Sequence, residues 1–294
     1  MTAPATPLAQ HAAPRMRTTF LELEITGKCQ LDCSHCYAHF GPAGDHGAMT
    51  IDDWRSVIGQ AADMGVLEVQ FIGGEPTLHP DFPALLDCAI DHGLKVQVFS
   101  NLVAVREPLW ERLRCPAVSL ATSYYSDRAD QHAHVTGRRA AHARTRANIA
   151  RAVKLGIPLK VGIIDIFDGQ RVEQARRELE ALGVRHIHID RQRGVGRATT
   201  VTGVGPTVDE LCGRCGIGRA AIGPQGEVWM CVLSRFLPPA GNVRTTPLRT
   251  IVEGEAMTTL PAQVPRRPDA TACKPNSDGS DCSPAETTAC NPAY

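Results

Sequence analysis

Between residues 20 and 190 the chain alternates short apolar or alternating runs with longer stretches whose apolar residues return every three to four positions. A period of two marks a half-buried strand, and a period near 3.6 marks a helix. The pattern predicts strands over 20–25, 68–72, 95–99, 118–122, 159–165 and 186–190. The helices between them have readable ends. Thr50 caps a helix over 51–64 and Gly65 closes it, while Gly93, Gly156 and Gly183 follow helices over 81–92, 145–155 and 170–182. Six strand-then-helix units in succession imply an α/β fold, a parallel sheet with helices outside it.

A chain of 294 residues with 43% hydrophobic residues is long enough for one large barrel-type domain and a smaller extension. Lys and Arg number 31 against 31 Asp and Glu, a formal net charge of zero. Balanced charge gives no electrostatic case for nucleic acid or an anionic membrane as main partner. No apolar run approaches the ~18 residues of a membrane span. Residues 1–17 are rich in Ala and Pro, lack the apolar centre of a signal peptide, and read as a flexible arm. Eleven cysteines in a chain of this size, without an export signal, argue for metal ligation in a reducing cytoplasm rather than for disulfides. Cys88, in a helical pattern, and Cys115, before Pro116, read as packed thiols.

The first predicted strand runs into Thr26-Gly27-Lys28-Cys29-Gln30-Leu31-Asp32-Cys33-Ser34-His35-Cys36-Tyr37. Three cysteines spaced CxxxCxxC can hold three corners of a cubic iron–sulfur cluster, because short spacers let successive thiolates converge on one small object. The fourth iron then stays open to a small chelating molecule. Zinc or a redox-active cysteine group would also suit this motif alone. A second motif, Gly73-Gly74-Glu75-Pro76, closes the next apolar strand. On consecutive strand ends, the pair resembles the CxxxCxxC and GGEP elements of the radical S-adenosylmethionine enzymes. The resemblance implies a partial (β/α)6 barrel of the TIM type over 18–202. It also implies a [4Fe-4S] cluster on Cys29, Cys33 and Cys36, with S-adenosylmethionine on the open iron.

Parallel barrels gather their chemistry at the C-terminal strand ends. There the predicted strands carry the cysteine loop, GGEP, Ser100-Asn101, Ser123-Tyr124-Tyr125, Asp165 and Asp190-Arg191. The resemblance assigns Gly73 and Gly74 to the amino group of the cofactor, with Glu75 and Pro76 completing the element, and Ser100 and Asn101 to its ribose. Glu75 also reads as a structural turn acid. Ser123 belongs to the same expected pocket. Arg191 and Arg193 read equally as a fork for the cofactor carboxylate or a substrate anion and as solvated charges. His186 and His188 alternate on one strand without forming a metal pair. His35 fills a slot where the family more often carries an aromatic ring.

Beyond residue 203 the composition changes. Cys212-Gly213-Arg214-Cys215 precedes a stretch ending at Cys231 that reads as a β-hairpin turning at Pro224 to Gly226, so that Cys231 faces back toward the other two. Cys273, Cys282 and Cys290 lie in a polar, Pro-bearing tail that metal binding would order. Zinc would accept such a set. The pattern around Gly226 and Cys231, with Gly241-Asn242-Val243 and a helical 248–256, resembles the SPASM or twitch extension of radical enzymes, although the usual CxxCx5CxxxC run is absent. The resemblance implies a small cysteine-rich C-terminal module over 203–294, carrying an auxiliary [4Fe-4S] cluster on ligands drawn from Cys212, Cys215, Cys231, Cys273, Cys282 and Cys290. One auxiliary cluster is favoured over two.

The resemblance further implies an enzyme that cleaves S-adenosylmethionine reductively to a 5′-deoxyadenosyl radical, which abstracts hydrogen from a natural-product substrate. Maturation of a ribosomally made peptide is the favoured substrate class, with the auxiliary cluster accepting an electron. The alternative is epimerisation of a small metabolite such as a neomycin-type aminoglycoside, with Cys231, Cys282 or Cys290 donating hydrogen. A non-catalytic iron–sulfur or zinc protein is the third class. Expected partners are a peptide or small-molecule substrate and an electron donor such as flavodoxin or ferredoxin, with no nucleic acid and no membrane. No winged-helix module is legible before the barrel, so leader recognition is expected from a separate partner.

Overall fold

In the computed structural model, which describes residues 17–265, strand β1 (Phe20–Thr26) is followed in parallel by β2 (Glu68–Gly73), β3 (Lys95–Phe99), β4 (Val118–Tyr124), β5 (Leu159–Asp165) and β6 (His186–Arg191). Each begins on the predicted residue and runs at most two residues past the predicted end. Residues 1–16 of the expected arm, and Cys273, Cys282 and Cys290, lie outside the described residues.

Helices α1 (Ile51–Met64), α2 (Phe82–Asp91), α3 (Glu107–Leu113), α4 (Ala129–Thr136), α5 (Ala141–Lys154) and α6 (Val172–Ala181) join these strands. Thr50 and Asp53 form a capping box at the start of α1, and Gly65 ends it at φ 70°. Helices α3 and α4 were not predicted, because both are short. In α4 Val135 is the one large apolar residue, which leaves no 3.6 period to read. Among the described residues no helix is long and apolar enough to cross a membrane.

Strand β1 decides how the rest assembles. Leu21, Leu23 and Ile25 are fully buried and join the core that includes Trp54, Val57 and Ile58 of α1. The alternate residues Glu22 and Glu24 are buried as well, 1% and 0% exposed, where carboxylates almost never sit unless partnered. Their partners come from late in the chain, from Val232 N–H to Glu22 at 3.1 Å and from the Arg235 guanidinium to Glu24.

After α7 (Ala198–Thr202), β7 (Arg219–Ile222) accordingly pairs in parallel with β1 on the edge opposite β2, with Phe20 beside Arg219 and Leu23 beside Ile222. The predicted hairpin continues into β8 (Glu227–Trp229), antiparallel, through a turn in which Gly226 sits at φ 87°. Strand β9 (Gly241–Asn242) completes a nine-stranded sheet in the order β6-β5-β4-β3-β2-β1-β7-β8-β9. The cysteine hairpin therefore extends the barrel sheet and covers the edge that β1 would otherwise expose.

Candidate cofactor site

At the C-terminal end of β1 the chain folds into the cysteine loop, closed by Gly27 N–H to Asp45 O at 2.8 Å and Cys29 N–H to Gly41 O at 3.0 Å. The turn after β2 lies directly on this loop, with Gly74 N–H donating to Thr26 O at 2.7 Å and Glu75 N–H to Lys28 O at 2.9 Å. A Cβ on Gly73 would overlap the Thr26 carbonyl, and one on Gly74 the Lys28 carbonyl. Both glycines are thus required by backbone-to-backbone approach, in addition to lining the cavity described below.

From the opposite side, Arg197 clamps the loop. Its N–H donates to Cys36 O at 2.7 Å, and its guanidinium reaches Cys33 O, Phe40 O at 2.8 Å and the Asp32 carboxylate at 3.0 Å. Sequence reasoning missed Arg197, because its partners are carbonyls more than 150 residues earlier. Only the Gly196 turn beside it, at φ 57° and packed on Cys36 and Tyr37, marks the position locally.

Cys29, Cys33 and Cys36 share one cavity of about 640 Å³, part of it open to solvent, with Gly73, Gly74, Asn101 and Ser123. These are the predicted residues that the fold brings together. Asn101 aims its amide N–H at Cys29 Sγ, 3.6 Å away, and the Ser123 hydroxyl is buried without a hydrogen bond of normal geometry. Glu75, Pro76 and Ser100 stand behind the wall. The buried Glu75 carboxylate accepts from Thr77 N–H (3.1 Å), Thr77 Oγ1 (2.7 Å), Ser100 Oγ (2.8 Å) and Asn101 N–H (2.8 Å), which ties the β2 turn to the β3 turn. Arg191 points elsewhere and pairs with Glu210 at 2.9 Å, while Arg193 is buried against Asp190 at 2.9 Å. Both arginines are structural ion pairs here.

Tyr125, His132, Thr136 and Thr145 also line the cavity and had no sequence signal beyond the position of Tyr125 near a strand end. His35 packs edge-on against Tyr125, ring centroids 5.2 Å apart. Burial pushes both His35 and His132 down to about 3, so each imidazole is neutral.

Burial, then the nearby Glu75 charge, pushes Cys29 up to about 12, and burial with the charges of neighbouring groups raises Cys33 and Cys36 too. Three thiols gathered on one wall, each resisting ionisation, form a donor set that a cationic iron–sulfur core relieves. The amide of Asn101 at Cys29 Sγ is the outer hydrogen bond such a thiolate accepts. These residues fit a [4Fe-4S] cluster, offering thiolates to three of its four irons and leaving the fourth open.

The second cysteine group lies off the cavity, on the β7–β8 side. Cys212, Cys215 and Cys231 are all buried, Cys215 Sγ is 3.7 Å from Cys231 Sγ, and Arg214 N–H donates to Cys212 Sγ at 3.4 Å. Among the described residues no three Cys, His, Asp or Glu side chains form a single-ion site. Glu22 neighbours this group. Burial, opposed chiefly by the Arg219 charge, pushes its carboxyl up to about 7.

Residues 23–188 match the radical SAM superfamily, and residues 211–282 match the iron–sulfur cluster-binding domain called SPASM. A PqqA peptide cyclase from Xanthomonas campestris pv. campestris (strain B100) is 33% identical over 152 residues, 51% of this chain and 40% of the relative. An S-adenosylmethionine-dependent nucleotide dehydratase from Selenomonas ruminantium is 37% identical over 82 residues, 28% of this chain and 29% of the relative. These matches span two fifths or less of the curated relatives' length. Among solved structures, Streptococcus suis SuiB bound to its precursor peptide SuiA superposes with a TM-score of 0.68 at 15% identity, covering 87% of this chain and 69% of SuiB. The family brings with it a [4Fe-4S] cluster, S-adenosylmethionine and auxiliary iron–sulfur clustering. A parallel partial barrel with three cysteines at the mouth of β1 and a cysteine hairpin on its edge makes this chain a member of the radical SAM superfamily with a SPASM domain.

Proposed function

We propose that this enzyme matures a ribosomally made peptide by abstracting hydrogen from one of its unactivated carbons. The observation that carries this reading is the likeness of about half of the chain to PqqA peptide cyclases. When bound, the cluster and S-adenosylmethionine supply one reducing electron and a carbon-centred radical. The chain's part is to hold them. Cys29, Cys33 and Cys36 ligate the cluster, Gly73, Gly74, Asn101 and Ser123 receive S-adenosylmethionine, and Glu75, Pro76 and Ser100 act from behind as positioning residues. Cys212, Cys215 and Cys231, with tail cysteines among Cys273, Cys282 and Cys290, ligate an auxiliary cluster that accepts an electron from the substrate. A flavodoxin or ferredoxin delivers the reducing electron.

Likeness to the nucleotide dehydratase favours a second reading, a small-metabolite substrate. Cys231, packed on Cys215, suits ligation better than hydrogen donation. An epimerase would therefore draw its donor from Cys282 or Cys290.

The test is anaerobic reconstitution with iron and sulfide, followed by mass spectrometry of 5′-deoxyadenosine formed with deuterated peptides or with deuterated aminoglycosides. Deuterium arriving from a peptide supports the first reading. Transfer from the small molecule alone replaces it with the second, and an iron-loaded protein that never cleaves S-adenosylmethionine overturns both.

A further inference from the structure

No lysine or arginine is among the described residues that line the cavity. Its hydrogen-bonding side chains are mostly engaged: Asn101 with Gln30 and Cys29, Thr136 with the His132 carbonyl at 2.9 Å, Thr145 with the Asn101 carbonyl at 2.8 Å, and Tyr125 with His35 at 3.4 Å. His132 is different. It is 1% exposed, its ring stands edge-on to Tyr124, Tyr125 and His142, and neither ring nitrogen has a hydrogen-bond partner.

Buried polar groups are rarely left unmet in a native protein, and one that faces a cavity is met by whatever fills it. Burial keeps this imidazole neutral, so it brings one N–H donor. The part of S-adenosylmethionine most in need of hydrogen-bond donors, in a cavity whose described lining holds no lysine or arginine, is its carboxylate, which only accepts. We propose that His132 receives the α-carboxylate of S-adenosylmethionine, its ring N–H donating to one oxygen, with the buried Ser123 hydroxyl on the same wall. The arginines near β6 are committed to Glu210 and Asp190 and leave this place to an imidazole. The inference rests on the cofactor assignment above. It makes His132 a cofactor-binding residue and a determinant of carboxylate recognition.

The test compares affinities for S-adenosylmethionine and for its decarboxylated analogue, S-adenosylmethioninamine, read from perturbation of the reduced cluster's electron paramagnetic resonance signal. His132→Phe keeps a flat ring and removes the donor. It is expected to weaken S-adenosylmethionine binding roughly tenfold, the size of a lost hydrogen bond to a charged group, and to leave the analogue within about threefold. His132→Asn, polar but too short to reach as far, is expected to give the same selective loss.

An equal loss for both ligands, or no loss for either, would overturn the proposal. So would loss of iron from both variants, which would make His132 a support of the cysteine loop instead. A wild-type signal that S-adenosylmethionine leaves unchanged would sink the cofactor assignment itself, a result distinguishable from failure of the His132 proposal alone.

Discussion

Tyr37 donates its phenol hydrogen to Oε1 of Glu24 at 2.7 Å in the buried interior, tying the residue after the third loop cysteine to the first strand. The other Glu24 oxygen takes Arg235, whose guanidinium lies over the Trp229 ring at 4.5 Å and the Phe40 ring at 5.2 Å. One carboxylate therefore joins the cysteine loop, β1 and the segment just after Cys231. Burial raises the Glu24 carboxyl, and Arg235 is the main influence opposing it.

Removing Arg235 should therefore cost far more than removing Tyr37. Arg235→Met strands a buried carboxylate and is expected to destabilise the cluster-free chain by about 3–5 kcal/mol. Tyr37→Phe, which deletes one hydrogen bond, should cost about 1–3 kcal/mol. Urea unfolding measures both, and equal losses would show that the ion pair is not what holds this junction.

Arg197→Ala removes a clamp on the Cys33 and Phe40 carbonyls while sparing every thiol. Reconstituted protein is expected to carry roughly half or less of the wild-type iron, or to lose it faster to a chelator, because the loop that presents the cysteines is no longer held. Arg197→Lys should recover only part, since one ammonium cannot span the same acceptors as a guanidinium fork. Iron and sulfide analysis decides, and wild-type retention in Arg197→Ala would refute the clamp.

At Glu75, one carboxylate satisfies donors from three residues, Thr77, Ser100 and Asn101. Glu75→Gln turns one acceptor atom into a donor facing donors. The expected cost is about 2–4 kcal/mol, visible as a lowered thermal midpoint, with weaker S-adenosylmethionine binding because Asn101 loses its anchor. A variant as stable as wild type would mean that the turn holds itself.

Glu22 makes stability depend on pH with a definite sign. Its folded carboxyl is raised to about 7 from an ordinary 4.5, so in that interval the folded chain keeps a proton that the unfolded chain has released. The contribution is full below the ordinary value and is lost as the pH rises through about 7, an effect on the order of 3 kcal/mol. Chemical denaturation of the cluster-free protein across this range should show wild type losing stability relative to Glu22→Gln. Parallel pH profiles for the two would contradict it.

Local signals were enough for the parallel frame. Strand runs such as Lys95–Phe99, the Thr50 and Asp53 capping box and the left-handed Gly65 are written within a few neighbouring residues, and the six strands β1 to β6 could be placed from them. The same holds for the hairpin that returns Cys231 toward Cys215. Helix α4 escaped because eight residues with one large apolar side chain carry no readable period. With it escaped His132, the one buried imidazole in the cavity wall among the described residues.

The sequence by itself determined the chemistry on offer, three closely spaced thiols after a strand and a second set after residue 203, because ligand spacing and side-chain period are local properties. Only the tertiary structure decided which polar groups face that chemistry. Glu75 and Ser100 withdraw behind the wall, Arg191 turns to Glu210, and Arg197, after β6, closes on carbonyls of the loop after β1. Such choices depend on which donor lies nearest to a buried acceptor once the sheet has closed, and the residues involved stand up to about 210 positions apart along the chain.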